Sequence, residues 1–210
     1  MLNLVCGSIP LDKGTILINN QKINTLKEFE RYKTIGRVYQ DPSKGTCPTM
    51  TILENMSLAD NKNRSFNLSW GTNKKRIDYY KELLSQLNLG LEDKLGVKVG
   101  LLSGGQRQAM ALLMTTMSPI EILILDEHTA ALDPKTAEII MELTNNIVKK
   151  KKITTLMVTH NLMHALHYGN RLIMMHEGNA IMDLNEQDKK STSVDNILNV
   201  FNKISLERGN

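Results

Sequence analysis

The chain has 210 residues, of which 41% are hydrophobic and 23% charged, with a net charge of +4. These proportions are typical of a globular protein with a sizeable core, and the length fits one domain. The charge is too small to indicate a nucleic-acid-binding protein, so we expect no nucleic-acid partner. Two cysteines exclude a disulfide scaffold, and no apolar run is long enough to predict a transmembrane helix.

Strand and helix patterns alternate along the chain. Short apolar or alternating runs predict strands over residues 15–19, 34–39, 122–125, 154–158, 172–175 and 180–182. Apolar residues at helical spacing, several with a start signal, predict helices over residues 1–7, 51–59, 74–89, 103–117, 135–149 and 194–201. The Asn-rich residues 61–71 predict a loop. This alternation favours an α/β fold with a parallel sheet, into which a mostly helical segment is inserted.

A serine followed by two glycines opens the helix predicted over residues 103–117. Ser103 is well placed as the N-cap, and Gly104 and Gly105 allow another object to approach the backbone closely. The unpaired N–H groups at this helix start and the Ser103 hydroxyl would form an anion site suited to phosphate. The alternative is an ordinary junction between a loop and a helix.

Two acidic residues follow the most apolar predicted strand. Asp126 and Glu127 come directly after residues 122–125, at the carboxyl end of the strand, where open α/β sheets bind their ligands. Asp126 can hold Mg²⁺ directly or through water. Glu127 can orient and deprotonate a water molecule. The alternative is a strand that ends in charged surface.

Polar residues also stand at the ends of two other predicted strands. Gln40 follows residues 34–39, and His160 follows residues 154–158. Each of them alone is more typical of a structural role. Because the carboxyl ends of parallel strands meet at one edge of a sheet, we expect both to converge with Asp126 and Glu127 there.

This ordered set of residues resembles the nucleotide-binding subunit of ABC transporters, and the resemblance extends over nearly the whole chain. Residues 102–106 match the LSGGQ signature, and residues 122–126 match the Walker B motif. Glu127 takes the place of the catalytic glutamate, His160 that of the switch histidine, and Gln40 that of the Q-loop glutamine. Asp133 closes the D-loop at residues 131–133.

The resemblance implies a P-loop NTPase-like, RecA-like fold that forms a single nucleotide-binding domain. Residues 1–44 and 118–186 would form the α/β core, and residues 45–117 a helical subdomain that carries the signature. Residues 187–210 would form a C-terminal helical tail. The sequence departs from the family pattern because it lacks the segment that would hold the first strand and the P-loop.

The same resemblance implies ATP and Mg²⁺ as cofactors and gives each motif residue a role. Glu127, His160 and Gln40 would be catalytic, while Asp126 and Gln40 would hold the metal. The remaining motif residues would contact nucleotide; they are Ser103, Gly104, Gly105, Gln106 and Asp133.

The family also implies partners and a location. Two subunits would form a head-to-tail homodimer with two ATP molecules between them, docked on a transmembrane permease near the helical subdomain. A substrate-binding protein would complete an importer, and the chain would lie in the cytoplasm on the inner face of the membrane. The variant with His128 and Ala130, where the commoner pattern has Pro and Ser, resembles ATPases of poorly characterised bacterial importers.

The motif GxxxxGK[ST] occurs nowhere in the 210 residues, and residues 1–7 resemble the continuation of a P-loop helix. A P-loop supplies about four charge-assisted hydrogen bonds to the nucleotide, which together stabilise the complex by roughly 6–12 kcal/mol. If these 210 residues are the whole polypeptide, we therefore expect weak or no intrinsic ATPase activity.

Two other functions stay open at this point. One is a non-transport ABC-type ATPase of DNA repair or translation. The short spacing between Gln40 and Ser103 disfavours DNA repair because it leaves no room for long coiled coils, and the single set of motifs disfavours the translation relatives, which carry two such domains in one chain. The other is a non-catalytic fragment that donates its signature motif in trans to an intact partner.

Overall fold

The computed structural model describes residues 1–64 and 71–207, so residues 65–70 of the predicted loop over 61–71 lie outside the described residues. The chain divides into two compact units, residues 1–158 and 159–210, and each is described by itself. Within the described ranges, no helix combines the length and apolar character that a bilayer crossing requires.

The first unit alternates strands and helices, which confirms the predicted α/β class. In chain order it contains α1 (Leu2–Cys6), β1 (Leu17–Ile18), β2 (Gln21–Lys22), α2 (Glu28–Arg31), β3 (Ile35–Val38), α3 (Ile52–Asp60), α4 (Ile77–Ser85), α5 (Gly104–Met117), β4 (Ile122–Asp126), α6 (Pro134–Lys151) and β5 (Thr154–Val158). Short 3₁₀ turns occupy Pro42–Gly45, Lys74–Arg76 and Val99–Leu101.

Strands β3, β4 and β5 form a parallel sheet with β4 in the middle. Ile122 of β4 pairs with Ile35 on one side and with Thr154 on the other, so the three carboxyl ends lie at one edge. Leu123 and Leu125 pack in a cluster with Leu112 of α5, whereas Ile124 packs in a cluster with Cys6 of α1. Both faces of β4 are therefore covered, which explains why its sequence is continuously apolar.

The predicted strand over residues 15–19 is shorter in the structure than expected. Asn19 and Asn20 have φ angles of 49° and 63°, so the chain turns directly after Ile18 into β2. Positive φ at both central residues defines the type I′ turn that two-residue hairpins prefer, and asparagine tolerates it better than most residues.

The predicted helices over residues 51–59 and 74–89 form a second packed region with α5. Thr51 and Glu54 make the expected capping box at the start of α3. The later helix is shorter than predicted, because α4 ends at Ser85 and Asn88 adopts a positive φ of 53° three residues beyond. A single apolar cluster joins the buried faces of α3, α4 and α5.

The second unit is a hairpin that packs one face against helices. It contains α7 (Leu162–His167), β6 (Leu172–His176), β7 (Asn179–Leu184), α8 (Glu186–Ser191) and α9 (Val194–Glu207). The strands pair antiparallel around Glu177 and Gly178, as predicted, and α9 extends beyond the expected end at residue 201. Lys189 is buried and donates from Nζ to the carbonyl of Tyr168, the C-cap of α7, and to that of Gly169 at 2.9 Å.

Gly36 of β3 lies where a side chain would not fit. A Cβ atom there would be 2.6 Å from Cγ2 of Thr115 and 2.7 Å from Cδ1 of Ile120. We expect Gly36→Ala to lower the free energy of unfolding by about 1–3 kcal/mol, because the neighbours of the sheet would have to move. Urea denaturation followed by circular dichroism measures this change.

Gly96→Ala is the matched control, since a Cβ atom at Gly96 meets nothing within 4 Å. We expect this variant to be as stable as the wild type or slightly more stable. Equal stabilities for the two variants would contradict the close packing of β3 against Thr115 and Ile120.

Candidate functional site

Asp126, the last residue of β4, makes an ion pair with a residue that the sequence analysis missed. Arg37 of β3 donates from Nη2 to Oδ2 of Asp126 at 2.6 Å. The Arg37 side chain is 10% exposed and that of Asp126 is 32% exposed, so water screens this pair only partly. The sequence did contain a signal, because an arginine inside an otherwise apolar strand needs a counter-charge when the sheet is buried.

The Arg37 guanidinium is held on three sides. Besides Asp126, it donates from Nη1 to Oδ1 of Asn3 at 3.0 Å and lies 4.7 Å from the ring centre of Tyr39. Burial is the largest single effect and disfavours the charge, but the hydrogen bond and ion pair with Asp126, together with neighbouring groups, raise the pKa of Arg37 above its usual value. Asp126 is therefore fixed by a permanently charged partner.

A polar cavity of about 440 Å³ opens beside this ion pair. Gln40 and Asp126 both line it, so the structure brings together two of the residues that the sequence analysis singled out. Arg37 and Lys44 contribute positive charge to the walls, and Asp41 contributes a second carboxylate. The cavity can therefore accommodate both a cation and an anionic group.

The donors in this cavity fit Mg²⁺, which prefers carboxylate and amide oxygens. The described residues contain no group of three or more His, Cys, Asp or Glu side chains that could hold a metal ion by themselves. Mg²⁺ is commonly bound by one or two carboxylates and completed by phosphate oxygens and water. Asp126 and Gln40 are suited to such a shared site rather than to an all-protein site.

Glu127 directly follows Asp126 and has a strained backbone. Its φ angle of 47° lies in the left-handed region, which costs an L-residue about 1–2 kcal/mol. Two backbone hydrogen bonds hold it there: its N–H donates to the carbonyl of Val158 at 3.0 Å, and its carbonyl accepts from Ala130 at 2.9 Å. Strain that the surroundings maintain in this way is characteristic of functional positions.

The next residue, His128, connects this strained turn to α6. His128 is 2% exposed, and its Nε2 lies 3.2 Å from Oγ1 of Thr144. The Thr144 hydroxyl donates its single proton to the carbonyl of Ile140 at 2.6 Å. It can therefore only accept from His128, so Nε2 of His128 carries a proton.

The signature residues stand at the start of α5 as predicted. Ser103 caps the helix, with Oγ accepting from the Gln106 N–H at 3.2 Å, while Oε1 of Gln106 accepts from the Ser103 N–H. Nε2 of Gln106 donates to the carbonyl of Leu89 at 3.2 Å, so this side chain is engaged within the chain. Gly105 has a packing role as well, because a Cβ atom there would lie 2.3 Å from Cγ2 of Thr136.

The two remaining predicted site residues are Asp133 and His160. Asp133 caps α6, where its Oδ1 accepts from the Thr136 N–H at 3.0 Å. Hydrogen bonds from Thr136 hold the pKa of this carboxyl below its usual value. His160 belongs to the second unit and follows β5 by two residues.

Comparison with known proteins identifies relatives over the whole chain. Residues 1–130 match the family model described as "ABC transporter". A tyrosine transport ATP-binding protein of Clostridioides difficile (strain R20291) is 47% identical over 201 residues, which cover 96% of this chain and 80% of that protein. A xylose/arabinose import ATP-binding protein of Sulfolobus acidocaldarius is 29% identical, over all of this chain and 80% of its own length.

Solved structures of ATP-binding cassettes are also similar to this chain. The dimeric, post-hydrolysis structure of the ATP-binding cassette MJ0796 bound to ADP and Pi superposes with a TM-score of 0.71. It is 29% identical and the match covers 88% of this chain and 78% of that one. The ADP conformation of the cassette MJ1267 superposes with a TM-score of 0.77 at 24% identity, which supports the fold alone.

The hydrogen bond between His128 and Thr144 can be tested by removing the acceptor. We expect Thr144→Val to lower the free energy of unfolding by about 1–3 kcal/mol, because the buried hydrogen bond between Nε2–H of His128 and the threonine hydroxyl would be lost. Thr144→Ser keeps the hydroxyl and should lower the free energy of unfolding much less. Urea denaturation of the three proteins measures the difference, and equal losses of stability for valine and serine would contradict the hydrogen bond.

Proposed function

The chain belongs to the ABC transporter family of ATP-binding proteins, and on that premise we propose that it is the ATP-hydrolysing motor subunit of an importer. The observation that carries the proposal is the cavity that Gln40 and Asp126 share at the carboxyl ends of β3 and β4. Members of this family hydrolyse ATP, and relatives of this chain are named as import ATP-binding proteins.

The chemistry that we propose uses the residues at this edge of the sheet. Asp126 and Gln40 would hold Mg²⁺, which neutralises phosphate charge when it is bound. Glu127, directly after Asp126, would act as the general base that takes a proton from the attacking water. His160 would complete the set as the switch residue that contacts the terminal phosphate.

The start of α5 is the second part of the proposed site. The backbone N–H groups near Ser103, Gly104 and Gly105, with the positive end of the helix dipole, favour an anion. In a head-to-tail dimer these residues, with Gln106 and Asp133, would contact the nucleotide bound by the partner subunit. The dimeric cassette MJ0796 supports dimerisation as the working arrangement of such chains.

We also propose how the chain is organised for this work. Residues 45–117 would form the helical subdomain that docks on a transmembrane permease, between core segments 1–44 and 118–186. Residues 187–210 would form the C-terminal tail. The assembled transporter would place the chain at the cytoplasmic face of the membrane, and a substrate-binding protein would deliver the cargo to the permease.

The cargo that we propose is a small amino-acid-type substrate. The support is the relative named as a tyrosine transport ATP-binding protein, which is 47% identical to this chain. The motor residues described here contact nucleotide rather than cargo in the proposed mechanism, so the choice of substrate would belong to the permease and the binding protein.

Residues 1–210 contain no P-loop motif. A polypeptide that consists of these residues alone would therefore lack the main phosphate-binding loop of the family. Backbone N–H groups and a lysine of a P-loop would normally hold the β- and γ-phosphates. We propose that the 210-residue polypeptide has the catalytic residues but binds ATP too weakly to turn it over at an appreciable rate.

The decisive experiment compares ATP hydrolysis by the 210-residue polypeptide with hydrolysis by a chain extended upstream through a P-loop, each reconstituted with the permease. We expect the extended chain to hydrolyse ATP and Glu127→Gln to reduce its kcat by about 10²–10⁴-fold, because the general base is lost. Phosphate release at saturating ATP measures both rates.

Glu138→Gln is the control substitution, because Glu138 is an exposed residue of α6 outside the proposed site. It should leave the rate unchanged. Glu127-dependent hydrolysis by the 210-residue polypeptide would refute its proposed weakness. An extended chain that binds no permease and hydrolyses no ATP would refute the motor function itself.

A further inference from the structure

The backbone that leads into Gln40 is held by the signature helix. Gln108 of α5 is 1% exposed, and its Nε2 donates to the carbonyl of Tyr39 at 3.1 Å. Tyr39 immediately precedes Gln40. Since a carbonyl only accepts hydrogen bonds, the orientation of the Gln108 amide follows from this partner. Sequence reasoning did not single out Gln108, although it lies two residues beyond Gln106.

Tyr39 is held from its other side as well. Its ring lies 4.7 Å beneath the guanidinium of Arg37, which pairs with Asp126. Its hydroxyl lies 3.3 Å from the hydroxyl of Tyr32. The residue before Gln40 therefore stands between the ion pair at Asp126 and the helix that begins with the signature.

The backbone after Gln40 also lies along α5. Asp41 caps the following 3₁₀ turn, with Oδ1 accepting from the Ser43 N–H at 2.9 Å. A Cβ atom at Gly45, the last residue of that turn, would lie 3.5 Å from Cβ of Ala111. Gln40 is thus part of a short segment whose two ends both touch the signature helix.

A buried glutamine at position 108 stabilises the fold less than an apolar residue of the same size would. Its Oε1 is buried and has no hydrogen-bond partner among the described residues. A buried amide that satisfies only one of its polar atoms costs free energy, and an apolar residue of the same size avoids the cost. What glutamine adds over an apolar residue is the directed bond to the Tyr39 carbonyl.

We propose that Gln108 is a positioning residue that couples the signature helix α5 to Gln40. A displacement of α5 would move the Tyr39 carbonyl and with it the backbone of Gln40, and binding at Gln40 would act on α5 in the reverse direction. The role of Gln108 in transport rests on the proposed function. Its hydrogen bond to the Tyr39 carbonyl, by contrast, is present in the chain by itself.

The link is tested first by amide hydrogen exchange on the full chain with Gln108→Met, which conserves volume and removes the donor. We expect the amides of residues 40–45, apart from Pro42, which has none, to exchange about fivefold to tenfold faster, as for the loss of one local hydrogen bond. We expect the midpoint of thermal unfolding to shift by less than about 4 °C. Amides of α3 should be unchanged.

Gln86→Met is the matched control, because Gln86 is an exposed glutamine at the end of α4. It should change neither exchange at residues 40–45 nor the unfolding midpoint. Unchanged exchange in Gln108→Met would overturn the proposal. A larger drop of the midpoint, or failure to fold, would also overturn it and assign Gln108 to the core.

A measurement on the wild-type chain complements the variants. The side-chain amide protons of Gln108 should exchange more slowly than those of Gln86, because one of them is buried against the Tyr39 carbonyl. Equal rates for the two side chains would contradict the bond itself, whatever the stability of the variant.

The coupling in the assembled transporter is tested separately. In the P-loop-containing chain with its permease, Gln108→Met should lower kcat about tenfold and leave KM for ATP within about twofold. An unchanged kcat would overturn the coupling role. If the wild-type assembly hydrolyses no ATP, the motor function fails, and the exchange experiment still decides whether Gln108 holds Gln40.

Discussion

The parallel register that places β4 between β3 and β5 is the constraint on which the site depends. Because β3 and β4 point the same way, Gln40 and Asp126 at their carboxyl ends line one cavity without any direct attraction between them. The pairing also places Arg37 of β3 opposite Ile124, two residues before Asp126. The ion pair between Arg37 and Asp126 is therefore a consequence of strand register, and a shift of one residue would break it.

The turn after β4 shows how this site keeps a strained conformation. Glu127 remains left-handed because the Val158 carbonyl accepts its N–H and because His128 is fixed to Thr144. A proline after Glu127, as in the commoner family pattern, would disfavour helical conformations of the preceding residue. Histidine imposes no such restriction, and it adds a buried hydrogen bond between this turn and α6.

Features encoded in a few neighbouring residues could be predicted from the sequence. The capping boxes at Thr51 and Ser103 depend on residues three positions apart, and the buried strand β4 follows from its continuous apolar run. The α/β class and the family follow from motifs in order along the chain. Such signals depend only on residues close together in sequence, so they can be recognised before the fold is known.

The contacts that sequence reasoning missed join residues far apart in the chain. Arg37 and Asp126 are 89 positions apart, and Gln108 and Tyr39 are 69 apart. Neither pair has a local signature, because each exists only when a particular register brings two elements together. The end of β1 was missed for a different reason. The two asparagines that end the strand are its sequence neighbours, but asparagine only tolerates a positive φ angle and does not require one, so the sequence does not fix the last residue of the strand.

The proposed mechanism has two separate requirements, which are correctly oriented carboxylates and a bound nucleotide. Asp126 and Glu127 are placed by strand pairing, by Arg37 and by the turn before α6, none of which involves a phosphate-binding loop. Phosphate affinity, in contrast, depends on backbone N–H groups that a P-loop would provide. Orientation of the carboxylates is thus a property of this part of the fold, whereas their use requires a bound nucleotide. In the proposed mechanism, removal of a P-loop would abolish hydrolysis through weak nucleotide binding and leave Asp126 and Glu127 in position.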